Sequence, residues 1–256
     1  RRFIVESPDN RLKDIDGSPI FEEPLVGFAD GDDPLFGEYK RIIGEFHFSP
    51  REALIAHIQE SAGGEPPEVP HVGVVSWVLP IAKATKVSNR KMTEGPSLRW
   101  NHTRWHGEAL NESLRRYVVS LLEERGYRAV APMLAPFFKM VDRPNGLSST
   151  WSERHAAFAA GLGTFSLTDA LITAKGMAMR CGSVVGTLKV VPTPRPYEHH
   201  MAYCPYVHDG SCGACIERCP AQAIGPQGHD KKKCLEYLMV TQRPWMEARP
   251  GYIGVY

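Results

Sequence analysis

Five of the six cysteines in this 256-residue sequence, Cys204, Cys212, Cys215, Cys219 and Cys234, fall within its last 53 positions. Three of them make the run Cys-x2-Cys-x3-Cys, closed by Pro220. Soft thiolates at such short intervals can wrap one inorganic centre, zinc or an iron–sulfur cluster. Zinc sites pair two Cys-x2-Cys knuckles across a loop; here a third cysteine follows at once and a proline turns the chain away. Disulfides in a chain of this size would usually be scattered and preceded by a secretory signal. The run corresponds instead to the later part of the ferredoxin pattern for [4Fe–4S] clusters.

The remaining ligand has two candidates. Three residues before Cys212, where the bacterial ferredoxin run has a cysteine, stands Asp209. Either Asp209 ligates through oxygen, or Cys204 supplies sulfur across the loop Pro205 to Ser211. Cys204 is favoured, because a thiolate suits iron–sulfur chemistry better than a carboxylate and Gly210 lets the loop turn. In two-cluster ferredoxins the cysteine before the proline ligates the other cluster. On that pattern Cys204, Cys212 and Cys215 hold one cubane, while Cys219 and Cys234 hold part of a second, whose other thiolates would lie beyond Tyr256. The alternative is a single cluster on Cys212, Cys215, Cys219 and one of Cys204 or Cys234. Cys181 stands apart in a strand-like context and reads as a small core residue.

The elements that must position these thiols are of both kinds. Ser49-Pro50-Arg51-Glu52 is a helix start with N-cap, first-position proline and capping box, and Gly63-Gly64 is its stop. Glu65 to Pro70 reads as a stiff connector. His71 to Leu79 is an apolar run of strand length, predicted to be a buried central strand. Helical spacing runs from His106 to Arg125 through Leu110, Leu114, Val118 and Leu121, with Gly126 as the C′ residue. Tyr127 to Pro132 reads as a strand. A second helix is predicted from Ser149 or Thr150, with Glu153 in capping range, to Gly161. Leu171 to Thr173 and Gly182 to Val191 read as strands either side of a turn at Lys175-Gly176. Such interleaving predicts a layered α/β (α+β) domain over 67–198, followed by a ferredoxin-type module over 199–256. Residues 1–66 are an arm with one helix, the arm laid over the domain surface.

With 43% apolar and 23% charged positions the chain has ample core, which excludes disordered and fibrous classes. Its 30 basic and 29 acidic side chains nearly cancel, so charge gives no support to a nucleic-acid partner or an anionic membrane. No stretch approaches the roughly 18 consecutive apolar residues of a membrane span. Arg1-Arg2 lacks the hydrophobic region of a twin-arginine signal, since Glu6, Asp9, Arg11, Lys13 and Asp14 occupy its place. A cytoplasmic location is expected.

Taken in order, several pieces resemble epoxyqueuosine reductase, a family related to the corrinoid-dependent reductive dehalogenases. They are the helix segment Ala109 to Arg115, the stretch Glu153 to Phe165 with its Ala160-Gly161-Leu162-Gly163, Leu171-Ile172-Thr173, the cysteine run, and Lys233 to Leu238. The similarity covers roughly residues 67 to 245. It implies a nitroreductase-like domain cradling cobalamin, packed on a module with one or two [4Fe–4S] clusters. An external donor of ferredoxin or flavodoxin type would supply electrons for reductive cleavage of an epoxide or organohalide, the cofactor carrying the hard chemistry. A non-corrinoid electron-transfer or redox-sensing iron–sulfur protein is the alternative.

Site residues follow from the same comparison. Gly161 and Gly163 would let backbone approach a flat cofactor; otherwise they form a helix stop. His102 and Arg104, with Trp100, Trp105 and His106, would suit its polar rim, or pack as ordinary structural residues. Reductive cleavage leaves an anion to be protonated. The family's acid position falls on Leu147 to Thr150, so Asp142, the nearest upstream carboxylate, is the candidate proton donor; its alternative is a surface turn with Arg143-Pro144-Asn145-Gly146. His155 reads as a structural hydrogen-bonder. His199 and His200 would either donate to cluster sulfur or stand in solvent.

Overall fold

The computed structural model describes residues 1–62 and 68–254. The expected helix stop at Gly63-Gly64 and the Glu65-Pro66-Pro67 part of the connector lie outside the described residues. The central layer is a four-stranded sheet of β1 (Leu25–Asp30), β2 (Gly73–Pro80), β3 (Ala129–Val130) and β4 (Met179–Gly186) in the order β1-β2-β4-β3, antiparallel throughout. Register is fixed by pairs such as Leu25 with Val78 and Val78 with Cys181. Helices lie on both faces, so the mixed layered architecture is the one predicted, with antiparallel pairing between strands far apart in sequence.

Both faces of β2 are covered, which explains its continuous apolar run. Val74 and Val78 meet Ala156, Ala157 and Ala159 of the short helix Glu153–Ala159. Trp77 and Leu79 face the other way, onto Leu110 and Leu114 of the long helix Leu98–Glu123. This alternation is the period of two that a strand imposes. Fully burying each Val or Leu contributes roughly 1.5–3 kcal/mol, and the sheet is where most of that burial is concentrated.

Residues 1–48 are not an arm over the surface. Leu25–Asp30 is a strand of the central sheet, and Ile4, Leu12, Ile20 and Phe21 are buried in the core beneath the long helix. The boundary read at 66/67 therefore divides one sheet. The Ser49 capping box forms as predicted: Ser49 N donates to Glu52 Oε2 at 2.7 Å and Glu52 N to Ser49 Oγ at 3.3 Å.

The long helix starts eight residues before the first predicted position, on Ser97, whose Oγ accepts from Trp100 N. Gly126 ends it with φ +82°. The second helix begins at Glu153 on the Ser152 cap, while Ser148–Ser149 pair with Met140–Val141 in a hairpin. Leu171–Ile172 pair with Thr164–Phe165. No described helix is long and apolar enough to cross a membrane.

Candidate functional site

The five clustered cysteines sit on short helices and turns. Cys204 caps the helix Pro205–Asp209, which Gly210 terminates in the left-handed region at φ +74°. Cys215 lies in the helix Ala214–Arg218, Cys219 immediately follows it, and Cys234 lies in the helix Lys231–Tyr237. Cys204 is 5% exposed, Cys212 is exposed and the other three are half-buried.

Two of the clustered thiols are shifted by cysteine neighbours. Burial raises the Cys215 thiol, and the neighbouring Cys204 and Cys212 raise it further. Burial also raises Cys234, with Cys219 as its cysteine neighbour. Asp209 is turned to its own loop, its Oδ1 accepting from Ser211 N at 2.9 Å; the Ser211 hydrogen bonds hold its carboxyl low. Cys219 Sγ accepts from Ala223 N at 3.3 Å, a hydrogen bond suited to a thiolate.

Five thiols on short helices and turns are a soft donor set, of the kind that holds an iron–sulfur cluster or zinc. Four thiolates on one zinc at 2.3 Å stand only about 3.8 Å apart. Among the described residues no three cysteine sulfurs gather within 4.8 Å of one another.

The module meets the sheet domain at several places, two of them tied by hydrogen bonds next to the cysteines. Phe165 N donates to His200 O at 2.7 Å and Tyr203 N to Thr164 Oγ1 at 2.9 Å. Arg218 donates to the carbonyls of Asn89, Arg90 and Met92, and Tyr237 Oη to that of Glu94.

A cavity of about 400 Å³ opens at the first of these joints. Tyr39, Phe158 and Phe165 line it from the domain, His200, Met201 and Lys231 from the module. Its polar groups include His155 and Asp169. His155 Nδ1 lies 2.8 Å from Ser152 Oγ, and burial first, then His47, pushes its pKa down to about 3. It is thus a neutral, structural ring. Asp169 holds His229 Nδ1 at 3.2 Å with Lys231 Nζ at 3.9 Å, and its backbone φ is +59°. Such a conformation for a non-glycine residue is uncommon and recurs at functional sites. Sequence reading passed over Asp169 and Lys231, because neither lies in a motif and only the fold brings them together.

A second cavity, about 650 Å³, lies between the long and short helices. Arg104, Arg154 and Arg180 line it with Glu108, Glu153 and Cys181. Glu153 is not a cap: Arg115 Nε donates to its Oε1 at 3.0 Å and Ser183 Oγ to its Oε2. Burial pushes Cys181 up to about 12, so its thiol stays protonated.

The residues expected at a corrinoid are dispersed. Arg104 lines the larger cavity. His102 is buried against Gly251 O on another side of the long helix. Gly161 and Gly163 are required by the chain's own packing: a Cβ there would stand 2.5 Å from Pro194 O and 2.3 Å from Ile172 O respectively. Asp142 is exposed in the hairpin loop, whose Arg143 and Asn145 line the smaller cavity while Asp142 does not. The rings of His199 and His200 meet with centroids 4.4 Å apart, tilted by 42°.

No protein-family model matches the chain, and no curated protein does. Among solved structures it is similar to epoxyqueuosine reductase from Bacillus subtilis, at 18% identity and TM-score 0.41, over 84% of this chain and 52% of that one. The enzyme from Streptococcus thermophilus aligns at 16% identity and TM-score 0.45, over 84% of this chain and 54% of that one. The chain spans about half the length of the solved structures it matches.

Proposed function

We propose that this chain is an iron–sulfur oxidoreductase, with Cys204, Cys212 and Cys215 holding one [4Fe–4S] cluster and Cys219 and Cys234 contributing to a second. The observation that supports it most is the gathering of five cysteines on the short helices and turns of one module that shares a cavity with the sheet domain. Clusters held there would supply electron transfer. The protein's own contribution is to bind a small molecule in the 400 Å³ cavity, exclude water with Tyr39, Phe158 and Phe165, and present Asp169 and Lys231 as charged groups to it. An external ferredoxin- or flavodoxin-type donor would provide the electrons, and an epoxide or organohalide is the substrate class that the resemblance to epoxyqueuosine reductase brings.

A second reading, electron transfer or redox sensing without a corrinoid, is favoured by one observation: Gly161, Gly163, His102 and Arg104 do not converge on one cavity. These four residues therefore offer no single cradle for cobalamin. The deciding experiment is anaerobic purification followed by iron, sulfide and zinc analysis, with cob(II)alamin titration of the same preparation. Iron and sulfide in equal amounts support the iron–sulfur proposal, and zinc without iron after reconstitution overturns it. A shift in the cobalamin spectrum selects the corrinoid reading over the second one.

A further inference from the structure

We propose that Asp14, His102 and His106 form a binding site for a divalent transition metal of the zinc class, separate from the cysteines. His102 and His106 stand four residues apart on the long helix, so their rings share one face. Asp14 reaches them from the tight loop Leu12–Ser18, closed by Leu12 N donating to Ser18 O at 2.9 Å and tied to the same helix by Arg99 and Asp16 at 2.5 Å. One ligand atom from each of the three residues lies within 4.8 Å of the others. Asp14 Oδ2 is 3.2 Å from His106 Nε2 and 3.9 Å from His102 Nδ1.

The tautomer of His102 decides what these atoms need. His102 is 3% exposed and its Nε2 lies 2.7 Å from Gly251 O. A carbonyl only accepts, so Nε2 carries the hydrogen and Nδ1 of the neutral ring presents a bare lone pair. That Nδ1 is buried with no hydrogen-bond partner, and so is His106 Nε2, whose approach to Asp14 lacks hydrogen-bond alignment. A buried polar atom left unpaired costs about 1–3 kcal/mol. Two such nitrogens converging with a carboxylate make a pocket of lone pairs that a cation completes.

Its dimensions suit a metal. Ligands at 2.0–2.1 Å around a tetrahedral ion stand about 3.3 Å apart; the Asp14–His106 separation of 3.2 Å matches this, and the Asp14–His102 separation of 3.9 Å needs a small inward shift. Two imidazoles and one carboxylate are a familiar three-ligand set for zinc that leaves a fourth position free. The Gly251 carbonyl on His102 is the outer partner that fixes ring orientation in such sites. A cavity of about 220 Å³, lined by Arg11, Lys13, Asp14, His106 and Ser113, leads to the site from solvent. Lys13 is engaged by Asp9 at 2.7 Å. Bound there, the metal would clamp the N-terminal loop to the long helix and, through His102, to the segment at Gly251.

The test compares variants of the full chain, so that any zinc on the cysteines is common to all. Clusters are assembled anaerobically, the protein is dialysed against buffered Zn²⁺, and bound metal and thermal midpoint are measured for wild type, His106→Ala and Asp14→Asn. His106 and Asp14 have 39% and 62% exposed side chains, so both variants are expected to fold. Wild type should retain one zinc equivalent more than either variant and show a zinc-dependent rise in midpoint that both lack. Equal zinc in all three proteins, or equal midpoint shifts, would overturn the proposal; if one variant unfolds, the other decides alone.

Discussion

Arg115 Nε and Glu153 Oε1 meet at 3.0 Å beneath the larger cavity, joining the long helix to the short one across the edge of β4. Arg115 is 2% exposed and also donates to Glu108 at 2.8 Å and to Cys181 O at 3.2 Å. Its neighbours raise the guanidinium's already high pKa, while burial pushes the Glu153 carboxyl up against the pull of Arg115 and Ser183. A charge pair at this depth is held by mutual compensation, and either member alone is expensive.

Replacing Arg115 by Met should therefore destabilise the fold by about 3–5 kcal/mol at neutral pH. The cause is an uncompensated Glu153 carboxylate, which can escape by taking a proton, so the loss should shrink as pH falls towards 5. Urea unfolding of wild type and variant at pH 7.5 and pH 5 measures both effects. A loss below 1 kcal/mol at pH 7.5, or one that does not shrink at pH 5, would contradict this account.

His155 gives the opposite sign of pH dependence. Its folded pKa is depressed to about 3 from 6.5, chiefly by burial. Between those values the unfolded chain binds the proton and the folded one does not, so stability falls as pH drops below 6.5, by up to about 1.4 kcal/mol per pH unit. His155→Gln, which cannot titrate, should flatten the decline in thermal midpoint between pH 6.5 and 4.5 relative to wild type. A parallel decline in both proteins would assign the effect elsewhere.

Thiol reactivity should separate Cys181 from the clustered cysteines. With its pKa pushed up to about 12, only about one Cys181 in ten thousand is thiolate at pH 8, whereas an unperturbed thiol is about a quarter ionised. Iodoacetamide applied to metal-free protein is expected to label exposed Cys212 first and Cys181 last, at least a hundredfold slower. Peptide mapping over time provides the order. Assembly of iron and sulfide should protect the clustered cysteines and leave the Cys181 rate unchanged.

How much of this was legible in the sequence depends on whether the signal is local. The cysteine run, the Ser49 box, the core strand around Trp77 and the Gly126 stop are each written within a few residues, and all but the cysteines' ligand role can be seen in the geometry. The strand Leu25–Asp30 was hidden because its partner, Gly73–Pro80, lies across two helices, Leu35–Ile43 and Pro50–Ala62. The first turns of the long helix were hidden because Asn101, His102 and Thr103 are polar yet buried; apolar spacing cannot report a polar interior. Glu153 looks like a cap from its spacing to Ser149 and Thr150, and only the fold supplies the buried Arg115 that turns it inward. Asp169 carries no pattern at all, since its backbone conformation and its neighbours His229 and Lys231 are tertiary.

Asp169 and Asp142 can be separated as proton donors. Reductive cleavage of a carbon–oxygen or carbon–halogen bond leaves an anion, and a positioned acid typically contributes 10²–10⁴-fold. Asp169 lines the cavity shared with the cysteine module, beside His229 and Lys231, while Asp142 stands in solvent on the hairpin above it. Asp169→Asn is expected to slow oxidation of the reduced protein by a model epoxide or organohalide by about a hundredfold or more. Asp142→Asn should change it less than twofold. Both variants should keep wild-type iron content, since neither carboxylate is among the ligands proposed for the clusters. The opposite ranking would return the acid to Asp142 and require the hairpin to fold down over Lys231, against whose Cβ Gly146 already packs so closely that an added methyl would stand 2.6 Å away.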